Sequence, residues 1–98
     1  MIKPKRILSP ISRFEKNVAR YVKGNAQRKK CVLETIARME ADLYDPRLKT
    51  HALSGTLEGY FASSCGYDCR IVFSLTEDKK SGIEKIVLVN VGTHDEVY

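Results

Sequence analysis

Ile83-Glu84-Lys85-Ile86-Val87-Leu88-Val89-Asn90-Val91-Gly92-Thr93-His94-Asp95-Glu96-Val97-Tyr98 decides how this chain is read. Residues 83–91 form the most apolar strand candidate in the sequence. A strand that is apolar on both faces belongs inside a sheet, which makes this one central. Gly92 breaks the run, and His94, Asp95, Glu96 and Tyr98 follow as a polar tail expected to lie off the core. A rigid strand end that delivers proton-transfer groups is a common mounting for a reactive site.

Two more strands precede it. Leu57 to Ala62 reads as a strand, Ser63-Ser64-Cys65-Gly66 as a turn, and Asp68 to Leu75, rich in Ile71, Val72 and Phe73, as a second strand. Glu77 to Gly82 is a polar hairpin loop. The first half has a different period. Ile11, Phe14, Val18, Tyr21 and Val22 recur at helical spacing, opposite Arg13, Lys16, Arg20 and Lys23. Ser9-Pro10 offers a cap with proline at the first helical position, and Ser12 with Glu15 an alternative capping box. Gly24 ends this helix and Asn25 caps the next, which runs from Ala26 to Tyr44 on a stripe of Val32, Ile36, Met39 and Leu43. Asp45-Pro46 stops it. Ile7 and Leu8 supply a short edge strand. The order β-α-α-β-β-β implies an α+β domain, with two antiparallel helices on one face of a small, mainly antiparallel sheet. No element remains to cover the other face, so that face is the natural place for a site.

At 98 residues the chain makes a single domain, spanning residues 1–98. Lys3, Lys5 and Arg6 are not followed by an apolar run, so no leader peptide is expected, and no segment is long enough to span a membrane. Cys31, Cys65 and Cys69 are an odd number of cysteines, which favours free thiols in a reducing cytoplasm. Their spacing supplies too few ligands for zinc. No metal or cofactor is expected, and there is no phosphate-cradling glycine loop, HExxH or CxxC. Of seventeen Lys and Arg residues, thirteen lie in residues 1–50, against five of the twelve acids. A basic half of this kind calls for an anionic partner: RNA, DNA or an acidic protein.

The residues with chemistry to offer are His51, Asp68, Arg70, His94 and Tyr98. Metal-free RNA cleavage needs a base for the 2′-hydroxyl, an acid for the departing 5′-oxygen and positive charge on the phosphate. These residue types supply all three. Each also has an ordinary reading. His51 reads as a surface-loop histidine, His94 as a solvated tail residue and Tyr98 as a clamp at the chain end. Asp68 and Arg70, two apart on one strand, read as a surface ion pair. The basic stripe reads as a solvated face.

Taken together, the element order, Leu48-Lys49-Thr50-His51-Ala52-Leu53-Ser54-Gly55, Cys69-Arg70-Ile71-Val72-Phe73 and Val91-Gly92-Thr93-His94-Asp95-Glu96-Val97-Tyr98 resemble the RelE/ParE superfamily of bacterial toxins. The closest branch is similar to the YafQ-type ribosome-dependent mRNA endonucleases, and the resemblance covers essentially the whole chain. It implies a cytoplasmic toxin neutralised by a cognate antitoxin, with ribosome and mRNA as its other partners and no cofactor. It also implies that His51 is the catalytic loop histidine, Asp68 the strand aspartate and His94 the histidine after the last strand. By the same resemblance Arg70 would contact the scissile phosphate, and Tyr98 would hold or stack the nucleotide. Arg13, Lys16, Arg20, Lys23, Arg28, Lys29 and Lys30 are then expected to grip RNA. Ala62 and Ser64 depart from the branch, standing where it has a further aspartate and histidine. Phe61 and Ser63 stand near the positions of the RelE-type lysines. The alternatives are a ParE-like toxin that binds gyrase and cuts no RNA, or an inactive relative that only binds.

Overall fold

The computed structural model describes residues 6–66, 69–93 and Val97. In chain order they form β1 (Ile7–Pro10), α1 (Ser12–Val22), α2 (Ala26–Ala41), β2 (His51–Ala52), β3 (Phe61–Cys65), β4 (Cys69–Glu77) and β5 (Glu84–Thr93). Single 3₁₀ turns occupy Pro46–Leu48 and Gly55–Leu57. The five strands make one sheet in the order β1-β5-β4-β3-β2. β1 runs parallel to β5 and every other pair is antiparallel. This is the α+β arrangement expected, with β2 and the two 3₁₀ turns as additions. β5 is an interior strand, but β4 occupies the middle of the sheet, because the short β2 adds an outer strand on the far side.

The core lies between the helices and one face of the sheet. Phe14, Val32, Met39 and Leu43 meet Ile71, Phe73, Ile86, Leu88 and Val91, with Leu48, Cys65 and Cys69 in the same cluster. Phe73 stacks on Phe61 at a ring separation of 5.7 Å. Leu88 and Val91 are three apart on β5, so strict alternation would send them to opposite faces. A bulge resolves this: Val72 pairs with Asn90 and Phe73 with Leu88, which leaves Val89 extra.

Several boundaries differ from the sequence reading. Ser9 and Pro10 do not cap α1; they continue β1 opposite Val87 and Leu88. Proline is tolerated there because β1 is an edge strand. Ile11 extends that ladder, its N–H reaching Leu88 O at 3.1 Å, and serves as the N-cap residue with no side-chain bond. It is therefore exposed rather than part of the buried stripe. The capping box does not form either, since Ser12 is already inside the helix. Gly24, at φ +68°, ends α1, and the Asn25 carbonyl oxygen Oδ1 accepts the Arg28 N–H at 3.0 Å to cap α2.

α2 stops at Ala41, short of Tyr44, because the Asp42 carboxylate takes the Tyr44 N–H at 3.0 Å and offers the backbone a turn in place of the helix. β3 lies four residues beyond the expected start. Its Ser63-Ser64 pair, a turn signal in isolation, is held in the ladder opposite Ile71 and Arg70.

A hydroxyl relay ties β3 to Leu43, just past the end of α2. Thr50 Oγ1 donates to Leu43 O at 2.8 Å and lies 2.8 Å from Ser63 Oγ. With its one proton used, Thr50 must accept from Ser63, whose side chain is fully buried. Thr50→Val keeps the shape but orphans that hydroxyl. It is expected to cost roughly 1–3 kcal/mol in urea unfolding, most of it recovered in Thr50→Val/Ser63→Ala. No recovery in the double variant would refute the relay. Among the described residues no helix is long and apolar enough to cross a membrane.

Candidate functional site

His51 is placed by the segment before it. Asp45 accepts the Arg47 N–H at 2.9 Å and starts the 3₁₀ turn, and Leu48 plugs into the core with no exposed surface. Lys49 then adopts the left-handed conformation, at φ 50° and ψ 41°. A non-glycine residue held there marks a backbone fixed by its surroundings. The turn brings the Lys49 carbonyl 2.9 Å from His51 Nδ1. A carbonyl only accepts, so Nδ1 carries the proton of the neutral ring. Nε2 then presents a lone pair on an exposed side chain.

Arg70 is the second residue of β4. The first, Cys69, faces the core with Ile71 and Phe73, so Arg70 and Val72 face away from the helices. Directly opposed residues share a face. His51, Ala62 and Val72 therefore form one row across the sheet, and Ser64, Arg70 and Gly92 the next. Arg70 Nη1 donates to Ser64 Oγ at 3.3 Å and to Cys69 O at 2.9 Å. That fixes one arm of the fork, and among the described residues no other group takes the remaining donors of the guanidinium. From strand spacing and rise, His51 and Arg70 stand roughly 12 Å apart at Cα on this face. Their side chains can reach toward the same phosphodiester from two sides.

The structure thus brings His51 and Arg70 together, with Ala62 and Ser64 between them. The two positions that depart from the YafQ pattern lie inside the candidate site. This face is less bare than expected, since Ala62 and Val72 are 0% and 2% exposed. Ala62 has the shortest side chain in its row, between His51 and Val72, so the accessible ground is the rim that carries His51, Ser64 and Arg70. Asp68, His94 and Tyr98 lie outside the described residues. Val97, in the tail expected to lie off the core, is buried.

The basic residues divide. Arg13, Arg20 and Arg28 line a cleft of about 440 Å³ together with Asn17, Tyr21, Asn90, Val91 and Thr93. Lys16, Lys23, Lys29 and Lys30 stand outside it. The cleft lies between α1 and the end of β5, on the helix side of the sheet, away from His51 and Arg70. Its arginines are pre-ordered: Arg20 Nη2 donates to Asn17 Oδ1 at 2.8 Å, and Arg28 Nη1 to Tyr21 O at 3.1 Å. The Arg28 guanidinium also lies 4.4 Å over the Tyr21 ring.

Asn17 Nδ2 in turn donates to Asn90 Oδ1 at 2.6 Å, and the Val91 N–H donates to the same oxygen at 2.9 Å. The bulge turns Asn90 toward α1. Among the described residues no carboxylate lines the cleft, and α2 begins beside it with no acidic residue in its first turn. The positive end of the helix dipole therefore adds to the arginine field. Asn17, Tyr21 and Asn90 are site residues that the sequence reading misses. The signal available was Asn90 itself, a polar residue in an otherwise apolar strand.

No family model matches the sequence, and no curated protein matches it. Solved structures do. A mutant of YafQ from E. coli is similar over 96% of this chain and 99% of its own, at 14% identity and a TM-score of 0.75. The YoeB/ParE toxin from Agrobacterium tumefaciens is similar over 90% of this chain and 98% of its own, at 12% identity and a TM-score of 0.72. The E. coli DinJ-YafQ toxin-antitoxin complex matches over 96% of this chain and 98% of the other, at 16% identity and a TM-score of 0.71. At such identities the likeness is one of architecture, and at that level the resemblance read from the motifs holds: this chain has the fold of the YafQ and YoeB/ParE toxins.

Proposed function

We propose that this chain is the toxin of a toxin–antitoxin pair and cuts mRNA on the ribosome, in the cytoplasm, by metal-free acid/base chemistry. One observation carries the reading: His51 and Arg70, whose Nε2 and remaining guanidinium donors meet no partner among the described residues, share the sheet face opposite the helices. The fold shared with YafQ and YoeB/ParE supports it.

In this mechanism His51 Nε2 takes the proton of a ribose 2′-hydroxyl, and the 2′-oxygen attacks the neighbouring phosphorus. Arg70 stabilises the charge that builds on the phosphate oxygens. The bond to the 5′-oxygen breaks and His94 supplies its proton. The products are a 2′,3′-cyclic phosphate and a 5′-hydroxyl. Asp68 is the alternative base and Tyr98 orients the nucleotide, both carried over from the sequence resemblance. The cognate antitoxin corresponds to DinJ in the DinJ-YafQ complex and would bring acidic residues to Arg70.

The test is 5′-end mapping of transcripts after brief expression. Cuts phased to codons support the proposal. Uncut transcripts with blocked DNA supercoiling would replace it by the gyrase-binding alternative.

The arginine cleft would hold ribosomal RNA while the opposite face works on mRNA. Each phosphate contact contributes about 0.7–0.9 to the slope of log K against log salt. The variant Arg13→Ala/Arg20→Ala/Arg28→Ala is therefore expected to flatten the salt dependence of ribosome binding by about 2–3. An unchanged slope would remove the cleft from the RNA interface.

A further inference from the structure

The three cysteines have no part in that chemistry, yet the fold gathers them at one place. Cys65 ends β3 and Cys69 opens β4, and the two are direct cross-strand partners at the hairpin turn. Both are 2% exposed. Both side chains belong to the same core cluster, with Cys31 packed against it. Cys31 is half-buried on α2, its sulfur beside the exposed Gly66 of the same turn.

We propose that Cys65 and Cys69 form an oxidisable dithiol, a modification site for small hydroperoxides that closes to a disulfide. Opposed strand residues have Cβ atoms about 4.5–5.5 Å apart, and a disulfide wants about 3.5–4.5 Å, so a small approach of the strands suffices.

The surroundings assign the roles. The neighbouring Cys69 thiol, and then the charge of Arg38, hold the Cys65 thiol below its ordinary range against the effect of burial. The same proximity and burial push the Cys69 thiol up. Cys65 is therefore the nucleophile. Its thiolate attacks one peroxide oxygen and the O–O bond breaks. The sulfur is left as a sulfenic acid and the other oxygen departs as water after protonation. The Cys69 sulfur then attacks the Cys65 sulfur, the S–O bond breaks, and that oxygen leaves as a second water with the Cys69 proton. Two thiols and one hydrogen peroxide give one disulfide and two waters.

The Tyr21 hydroxyl gains a stake in the outcome. Tyr21 is pushed up to about 12, by burial first and then by the neighbouring Cys69 thiol. Its ring also carries Arg28. Oxidation replaces that thiol by a disulfide sulfur.

Digestion with trypsin separates the possible bridges. Thr50–Arg70 contains both Cys65 and Cys69, whereas Cys31 falls in Cys31–Arg38. The folded full chain is treated with hydrogen peroxide, then alkylated, digested and weighed. The expected product is Thr50–Arg70, unalkylated and about 2 Da lighter than its reduced form, restored by dithiothreitol. The same product is expected from Cys31→Ser. Full alkylation of Thr50–Arg70, or its cross-linking to Cys31–Arg38, would overturn the proposal.

Discussion

His51→Ala is expected to slow ribosome-dependent mRNA cleavage by about 10²–10⁴-fold, the usual cost of losing a placed acid or base. The reason lies in the few residues before it. Leu48 anchors the loop, Thr50 locks it to Leu43 and β3, and Lys49 turns its carbonyl onto Nδ1. All of that fixes the ring, while Nε2 meets no partner among the described residues. The more searching variant is His51→Asn. Its amide nitrogen can still donate to the Lys49 carbonyl, so the loop keeps its hydrogen bond, but it offers no basic nitrogen. A true base loses as much in Asn as in Ala. If His51→Asn retains most of the wild-type single-turnover rate, His51 only props the loop and Asp68 becomes the base. Ribosome binding, measured separately, is expected to be unchanged in both variants, because His51 stands on the face away from the arginine cleft.

The sequence shows some of this site and hides the rest, for reasons visible in particular residues. Periodicity locates α1, α2, β4 and β5, because their apolar residues contact the core in register with the element. β3 is displaced because Ser63 and Ser64 look like turn residues. Only the pairing with Ile71 and Arg70, and the bond from Ser63 to Thr50, makes them strand. β2 is two residues long and exists only through its ladder to Ala62 and Phe61. No local pattern announces it, although it fixes which face His51 takes. Ser9-Pro10 misleads for the same reason: a cap signal yields to a parallel pairing far along the chain. The basic stripe on α1 is legible as a stripe. Its division is not, because Arg28 joins Arg13 and Arg20 only when the two helices pack. The bulge at Val89 must also turn Asn90 toward Asn17.

Arg70→Ala is expected to lower the cleavage rate about 10²–10³-fold, the range for removing one preorganised donor from a developing anion. A cation in the middle strand of a sheet has to be explained by its surroundings. Among the described residues no carboxylate pairs with Arg70. Its partners there are the Ser64 hydroxyl and the carbonyl of its own neighbour. Neither neutralises it, so the positive charge remains available to a phosphate, and it is strongest where water is partly excluded at the rim. Arg70→Lys retains the charge without the planar fork. It is expected to fall between wild type and alanine, since a point charge cannot hold Ser64 and two phosphate oxygens together. Ser64→Ala removes only the strut, and should lose far less than Arg70→Ala. The loss is expected in kcat, with KM for ribosome-bound mRNA little changed, because the interaction strengthens as charge gathers on the phosphate. If KM rises instead and kcat holds, Arg70 binds the substrate uniformly and the transition-state role assigned to it is wrong.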